Sequence, residues 1–304
     1  DQDINLCKIS IELVSNIRLT RGILQSSDDK FWIRIDATNH RTDDEPEAWF
    51  ADFFSQSVVL AEMADRFFGE MLAKQKQIMI ESGKYVAGAF LKFRYGIKCP
   101  TVLIDAVHAA KPRADAYTGK IVKAVAKGAG CHAIIAIVSR EVADINRTPS
   151  EENAGAVVEY RRTIQHLFES TGVLNNGNLS QPILHLAIHG MKDRPEADIE
   201  LGTCLGGSCS DVVLEWVKMK IDEWVQANTV YLSREPTIVI NREFTGDPSK
   251  KFHRRGDRRS YYLGYGELFN TIQIEFAYWL RKDHRKKIIN LLTCIADKFQ
   301  AEYS

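Results

Sequence analysis

From residue 98 onward, short apolar runs alternate with amphipathic helical segments, and this alternation constrains the fold more than any other feature of the chain. The runs are rich in branched residues, which is typical of strands buried on both faces. They are TVLIDAV (101–107), CHAIIAIV (131–138), PILHLAI (182–188), DIELGT (198–203), PTIVIN (236–241) and NTIQIEF (270–276). The helical segments between and after them cover 116–130, 151–172, 210–228 and 283–303. This order predicts a three-layer α/β/α fold, with a mostly parallel mixed sheet between helices.

The first 97 residues carry a different pattern. Apolar and polar residues alternate in KISIELVSNIRL (8–19) and in KFWIRIDA (30–37), which predicts half-exposed antiparallel strands. Residues 56–83 repeat apolar positions every three or four residues, as one long amphipathic helix does. We therefore predict an N-terminal α+β extension or subdomain over residues 1–97, followed by a second domain over 98–304.

Composition argues against several classes of function. The chain has 40 basic and 40 acidic residues, so no overall charge favours nucleic acid or a membrane surface. No apolar stretch reaches the roughly 18–20 residues of a membrane helix, and no signal peptide is visible at Asp1. The six cysteines are scattered, and Cys204 and Cys209 lack CxxC spacing. We expect reduced thiols, a cytoplasmic protein, and neither a membrane nor a nucleic-acid partner; the oligomeric state stays open.

Polar side chains gather where the predicted strands end. They are His108 after the first strand, Arg140, Asp144, Asn146 and Arg147 after the second, His189 after the third, and Glu275 within the last, with Asp115 in the loop after His108. The carboxyl ends of parallel strands meet at one edge of a sheet, where sites form. Two histidines and a carboxylate at such an edge can hold zinc with an open fourth position. A glutamate to move protons and an arginine to bind a carboxylate complete a set suited to metal-assisted amide hydrolysis.

Each of these residues also has a simpler interpretation. A histidine after a strand can be an ordinary surface or hydrogen-bonded residue, and Glu275 can face solvent among its apolar neighbours. Arg140, Asp144 and Arg147 can form a structural ion-pair cluster. No HExxH or HxxE motif joins two of the candidate ligands.

Four segments, in order along the chain, carry a family resemblance. They are GAGCHAIIAIVSREVADINR (128–147), ILHLAIHGM (183–191), VINREFTGD (239–247) and FNTIQIEFAYWLR (269–281). Together they resemble the N-formylglutamate amidohydrolase family, which is similar in fold to zinc carboxypeptidases and aspartoacylases. The resemblance covers about residues 98–304. It implies an amidohydrolase-like catalytic domain with a sheet of the phosphorylase/hydrolase (zinc carboxypeptidase-like) type.

The resemblance also implies a role for each matching residue. His108, Asp115 and His189 would bind Zn²⁺, although an alternative alignment puts Gly119 in the place of Asp115. Glu275 would act as general base on the activated water, and Arg140 would polarise the scissile carbonyl. Asn146 and Arg147 would bind a substrate carboxylate, with Asn241 as a further substrate-binding residue. Asp144 would orient the arginines.

The sequence departs from the family pattern at two of these places. The family usually has Pro-His-x-Gly at the first ligand, and this chain has AVHAA (106–110). The family often has an aspartate two residues before the second histidine, where this chain has Ala187. Loss of such an aspartate could weaken metal affinity.

Three functions therefore remain open, and the weakest of them is nucleic-acid binding by the basic segment 249–260, with an affinity that falls steeply with salt. The first is a zinc-dependent hydrolase of an amide bond next to a carboxylate, in an N-formyl or N-acyl amino acid, possibly glutamate-like, or in a small peptide. The second is a non-catalytic protein that binds acidic ligands through its arginines and the basic segment SKKFHRRGDRRS (249–260), which is either a solvated loop or a lid. Convergence of His108, Asp115 and His189 within coordinating distance would favour the first.

Overall fold

The computed structural model describes residues 82–303 and the backbone of two earlier strands, β1 (Arg21–Ser27) and β2 (Lys30–Asp36). The contacts of the chain divide it into two compact units, residues 1–69 and residues 70–304. In the first unit β1 and β2 form an antiparallel pair. The predicted strand at 30–37 is confirmed as β2. The predicted strand at 8–19 and nearly all of the predicted helix at 56–83 lie outside the described residues.

The elements of the second unit follow the predicted alternation. Its strands are β3 (Val86–Ala87), β4 (Leu91–Arg94), β5 (Cys99–Ala106), β6 (Cys131–Ala136), β7 (Leu174–Asn175), β8 (Asn178–Leu179), β9 (Ile183–Gly190), β10 (Ile199–Gly202), β11 (Ile238–Ile240) and β12 (Phe269–Phe276). Its α-helices within residues 82–303 are α1 (Thr118–Ala129), α2 (Ala154–Ser170), α3 (Asp211–Asn228), α4 (Pro248–Arg255), α5 (Tyr278–Asp283) and α6 (Arg285–Tyr303). Among the helices that the structure describes, none is both long enough and apolar enough to cross a bilayer.

Eight of these strands form one mixed sheet in the order β11-β10-β12-β9-β5-β6-β4-β3. The four central strands β12, β9, β5 and β6 run parallel, whereas β10 and β4 run antiparallel to their neighbours in the centre. The predicted mostly parallel mixed sheet is thus confirmed. Strands β3 and β4 belong to this sheet although they precede residue 98.

The two faces of the sheet differ in how many polar side chains they bury. Along β9, Leu184, Leu186 and Ile188 point to one face and pack with α1, α3 and α6 in the largest apolar core. The alternating residues of β9 point to the other face, which α2 covers and against which α4 packs. That face carries His185 and His189, so the polar side chains of the site come from the strand positions that leave the apolar core intact.

The basic segment 249–260 is largely helical rather than a loop. Asp247 caps α4 by accepting the N–H of Ser249 at 2.9 Å. Lys250 and Arg254 are one helical turn apart, and both are buried against the sheet. Lys250 Nζ lies 3.6 Å from Asp105 Oδ2, and Arg254 donates to Asn270 at 3.0 Å. The helical period therefore turns two of the basic residues inward, away from any role as a lid.

A buried histidine in β6 makes a pH-dependent contribution to stability. His132 is fully buried, its Nδ1 accepts the N–H of Gly96 at 2.9 Å, and burial lowers its pKa to about 3. The unfolded chain, with an ordinary pKa near 6.5, binds one more proton between these two pH values, so stability falls as pH falls through that window. From pH 7 to pH 5 this residue alone accounts for a loss of about 2 kcal/mol.

We expect His132→Asn to lose about 2 kcal/mol less stability than wild type over the same pH change, because asparagine keeps an acceptor and does not titrate. Urea unfolding of both proteins at pH 7 and pH 5 measures this difference. The other buried histidines titrate in both proteins, so their contributions cancel in the difference between the two. Equal pH-induced losses in the two proteins would show that His132 is not buried in its neutral form.

Candidate metal centre

Two strand ends and one loop bring His108, Asp115 and His189 together. His108 follows β5, His189 lies near the end of β9, and Asp115 lies in the loop before α1. One ligand atom from each lies within 4.8 Å of the other two. The loop is closed by the Asp115 N–H, which donates to the His108 carbonyl at 2.8 Å and returns the carboxylate to the strand ends. Gly119, the alternative to Asp115 in the sequence, lies inside α1.

Two of the three separations match those of ligands on one metal ion. His108 Nδ1 and His189 Nδ1 lie 3.5 Å and 3.3 Å from the same atom, Asp115 Oδ2. Ligands about 2.0–2.1 Å from a tetrahedral zinc lie about 3.3–3.4 Å apart. His108 Nδ1 and His189 Nε2 are also buried with no hydrogen-bond partner among the described residues. The donor set and its spacing therefore suit a small divalent cation.

Asp144 fixes the orientation of the first histidine. His108 Nε2 donates to Asp144 Oδ1 at 2.8 Å. Since an ionised carboxylate only accepts, Nε2 carries a proton, and in the neutral ring the lone pair is on Nδ1, facing Asp115. We predicted that Asp144 orients the arginines, but its shortest side-chain contact with Arg147 is 3.8 Å. Its main partner is thus the histidine.

Replacing Asp144 with asparagine is expected to weaken metal affinity about 10–100-fold, the usual effect of losing a carboxylate that holds a metal-binding histidine. Asparagine can still accept the Asn146 N–H that Asp144 Oδ1 accepts at 2.9 Å, so the local fold is kept. Competition with a chromophoric chelator measures the affinity. The matched control is Asp247→Asn, because Asp247 also pairs with Arg147 but does not contact His108. An equal effect of both substitutions would refute the orienting role.

Glu275 faces the same group from β12. It is in register with His189, and Glu275 Oε1 lies 4.0 Å from His189 Nδ1. Gln273 Nε2 donates to that oxygen at 2.9 Å. Burial, together with the charge of Asp115, raises the pKa of Glu275 to about 8. The glutamate is 4% exposed, so it points into the site and not to solvent.

Asp115 supplies the carboxylate of the group. Arg140 Nη2 donates to Asp115 Oδ1, and the Gly190 N–H donates to Asp115 Oδ2 at 3.2 Å. Burial alone would raise the pKa of Asp115, but its interactions with His108 and His189 dominate and hold it well below its usual range. Asp115 therefore stays an anion, which is the form that binds a metal.

The predicted substrate-binding residues divide into two groups. Arg147 is half exposed, and its Nη1 donates to Asp247 at 3.2 Å and to the Asn146 carbonyl at 3.0 Å. Asn146 is buried, and its Oδ1 has no hydrogen-bond partner among the described residues. Asp144 links both to the centre, because it contacts His108 and Arg147 and accepts the Asn146 N–H.

Asn241 belongs to the other group, because the structure does not bring it to the centre. Its Oδ1 accepts the Thr203 N–H at 2.8 Å, and its Nδ2 donates to Thr203 Oγ1 at 2.9 Å. It follows β11, which is parallel to β10, and β10 is antiparallel to β12. The end of β11 therefore points toward the opposite edge of the sheet from the ends of β9 and β12.

Sequence reasoning missed a second polar cluster on the same face. Asp105 Oδ2 is 2.8 Å from His185 Nε2, accepts the Tyr160 hydroxyl, and lies near Lys250. All four side chains are buried. Asp105 is in register with Ala187, the position where the resembling family often has an aspartate. The signal was present in the sequence, since Asp105 and His185 are polar residues inside otherwise apolar runs.

A cleft of about 330 Å³ opens beside the centre. Asp115 and Gly190 line it from the centre, with Lys192, Tyr278 and Arg281 on its other sides. Its volume is at the lower end of the range of ligand pockets. The fold and the site thus define a class of protein. It is an α/β/α protein with a His-Asp-His group at the carboxyl ends of its parallel strands and a cleft beside that group.

Comparison with known proteins finds only distant structural likenesses. No protein-family model matches the chain, and no curated protein matches it. Similar solved structures include an N-formylglutamate amidohydrolase from Ralstonia eutropha (16% identity, 70% of this chain and 98% of that chain, TM-score 0.48). They also include a bacteriophage poly-gamma-glutamate hydrolase (12%, 73% and 93%, TM-score 0.40) and a metallo-carboxypeptidase from Burkholderia cenocepacia (12%, 70% and 60%, TM-score 0.36). At these identities the likeness assigns no activity to this chain.

Proposed function

We propose that this protein is a zinc-dependent hydrolase of an amide bond next to a carboxylate, with an N-acyl amino acid or a small acidic peptide as substrate. The observation that carries the proposal is the convergence of His108, Asp115 and His189 within 4.8 Å, with Glu275 at 4.0 Å from His189. The motif resemblance to N-formylglutamate amidohydrolases, read from the sequence, points to the same chemistry.

Two imidazoles and one carboxylate form a ligand set typical of catalytic zinc sites, which leave the fourth position open. When bound, zinc supplies Lewis-acid chemistry, polarising a carbonyl oxygen and making a water acidic near neutral pH. His108, Asp115 and His189 would hold it. The site's negative charge comes from Asp115, whose ionised form is favoured by His108 and His189.

Glu275 would accept and deliver the proton. Its carboxylate is buried, and burial with the nearby Asp115 charge favours the protonated form. A carboxylate poised between its two protonation states near neutral pH can take a proton from water and pass it to the leaving nitrogen. Gln273 fixes its position by donating to Oε1 at 2.9 Å.

Arg147 and Asn146 would bind the substrate carboxylate. Arg147 is half exposed and offers a guanidinium fork of the kind that binds carboxylates in two-point contacts. Asn146 adds a side-chain amide beside it. Arg140 would act nearer the scissile carbonyl, since it lies against Asp115 with an Nε that has no partner among the described residues.

The test is hydrolysis of N-formyl- and N-acetyl-glutamate by protein loaded with one equivalent of zinc. The matched substrates are the same compounds with the α-carboxylate converted to a primary amide. We expect the substrates with a free α-carboxylate to be hydrolysed, and those with the α-carboxylate converted to a primary amide to be hydrolysed at least tenfold more slowly. A chelator should abolish hydrolysis of both kinds of substrate. No cleavage of any acid across a panel of acyl amino acids by the zinc-loaded protein would overturn the proposal. Binding of these acids without cleavage would instead support the acidic-ligand binding protein.

A further inference from the structure

Arg281 of α5 donates hydrogen bonds from all three of its guanidinium nitrogens to backbone carbonyls. Nε donates to Phe276 at 2.9 Å, Nη2 donates to Met191 at 2.8 Å, and Nη1 donates to Ala116. The side chain is 3% exposed. Three of its five N–H groups are thus held by the backbone, which fixes the guanidinium in place.

Each of these three carbonyls belongs to a segment that carries a residue of the candidate centre. Ala116 follows Asp115, Met191 lies two residues after His189, and Phe276 follows Glu275. The three segments come from the α1 loop, β9 and β12, which are far apart in the sequence. Because the guanidinium is planar and rigid, one side chain sets the spacing of all three segments.

Gly190 allows this approach. A Cβ at position 190 would collide with the guanidinium carbon of Arg281 and lie 2.7 Å from its Nε. The glycine is not among the residues with positive φ, so its backbone conformation does not require glycine. Glycine is required at position 190 because Arg281 approaches so closely. Gly190 also donates its N–H to Asp115 Oδ2 at 3.2 Å, which places the contact directly beside the candidate metal ligands.

We propose that Arg281 is a positioning residue that sets the relative placement of Asp115, His189 and Glu275 and thereby the metal affinity of the centre. The inference rests on the proposed function only in taking this group to be a metal site. Arg281 contacts neither the ligand atoms nor the proposed substrate-binding residues. Its effect is exerted through the three carbonyls.

The first test measures metal affinity in Arg281→Lys by competition with a chromophoric chelator. Lysine keeps the charge but cannot bond three carbonyls in one plane. We expect zinc to bind at least about tenfold more weakly, comparable with losing a group that orients a ligand. The matched control is Arg254→Lys, because Arg254 is also a buried arginine on a helix but bonds Glu267 and Asn270. Its zinc affinity should stay within about twofold of wild type.

The second test uses Gly190→Ala and Arg281→Ala in a double-mutant cycle, with folding checked by circular dichroism. Each single variant should weaken zinc binding, and the alanine at 190 should add nothing once the guanidinium is gone. Millimolar methylguanidine should restore part of the affinity of Arg281→Ala, which general loss of stability would not allow. Additive effects without rescue would overturn the inference.

The outcomes separate this inference from the proposed function. Wild type that binds zinc and hydrolyses acyl amino acids, with Arg281→Lys equal to it in zinc affinity, would refute the role of Arg281 alone. Wild type that binds no zinc at micromolar concentration would refute both. Zinc binding without hydrolysis, weakened in Arg281→Lys, would support the positioning role and refute the hydrolase.

Discussion

Replacing His189 with alanine is expected to abolish both stoichiometric zinc binding and amide hydrolysis. In the proposed function His189 is one of three protein ligands, and its Nδ1 lies 3.3 Å from Asp115 Oδ2. The loss should exceed the about 10–100-fold that follows removal of a group that only orients a ligand. Elemental analysis after dialysis against buffered zinc measures the stoichiometry, which should fall from about one ion per chain to background.

His185 offers a matched control for this substitution. It lies on the same strand and face, four residues earlier, and is equally buried, but its Nε2 is 2.8 Å from Asp105 instead of the candidate ligands. We expect His185→Gln, which keeps a donor for Asp105, to lose stability and retain full zinc stoichiometry. If His189→Ala retained wild-type zinc, or if His185→Gln lost it equally, the ion would not lie where we place it.

Replacing Glu275 with glutamine is expected to lower kcat by about 10²–10⁴-fold while zinc stoichiometry stays near one, because glutamine cannot accept a proton. The substitution is isosteric, and the new amide oxygen can accept from Gln273 as Glu275 Oε1 does at 2.9 Å. Glu275 lies 4.0 Å from His189, outside the ligand group, so the metal should remain bound. Steady-state kinetics with saturating substrate, paired with metal analysis, measure both quantities.

Glu200 is the control for this experiment. It is directly opposite Glu275 in the sheet and fully buried, but its Oε1 accepts the backbone N–H groups of Arg242, Glu243 and Phe244. Glu200→Gln should therefore lower stability and leave kcat of the folded protein within a few fold. A Glu275→Gln variant with wild-type kcat would remove this residue from proton transfer.

The sheet and its polar edge were predictable because both depend on period and position. Buried strands read as continuous apolar runs, and parallel strands end at one edge, so His108, His189 and Glu275 could be expected together. The same logic did not select Asn241, which only the family resemblance named as a substrate-binding residue. The sequence of β10 and β11 does not reveal that this pair runs antiparallel to β12, which turns its end to the other edge.

The contacts that hold the site in place were not predictable, since they involve backbone atoms or distant loops. Arg281 bonds three carbonyls, and a carbonyl has no signature in the sequence. Asp144 pairs with Arg147 at 3.8 Å, as the sequence suggested, but its 2.8 Å bond to His108, 36 residues earlier, was not predictable. Lys250 lies in a basic run, which suggested a solvent-exposed side chain. The run is helical, however, and the helix directs Lys250 toward Asp105.

The central claim is that His108, Asp115 and His189 bind one metal ion. Anomalous diffraction at the zinc edge, from crystals grown with one equivalent of zinc, tests it most directly. The account predicts a single strong peak within about 2.0–2.2 Å of a nitrogen of each histidine and an oxygen of Asp115. Absence of a peak there in crystals whose protein binds zinc in solution, or a peak bound by other residues, would contradict it.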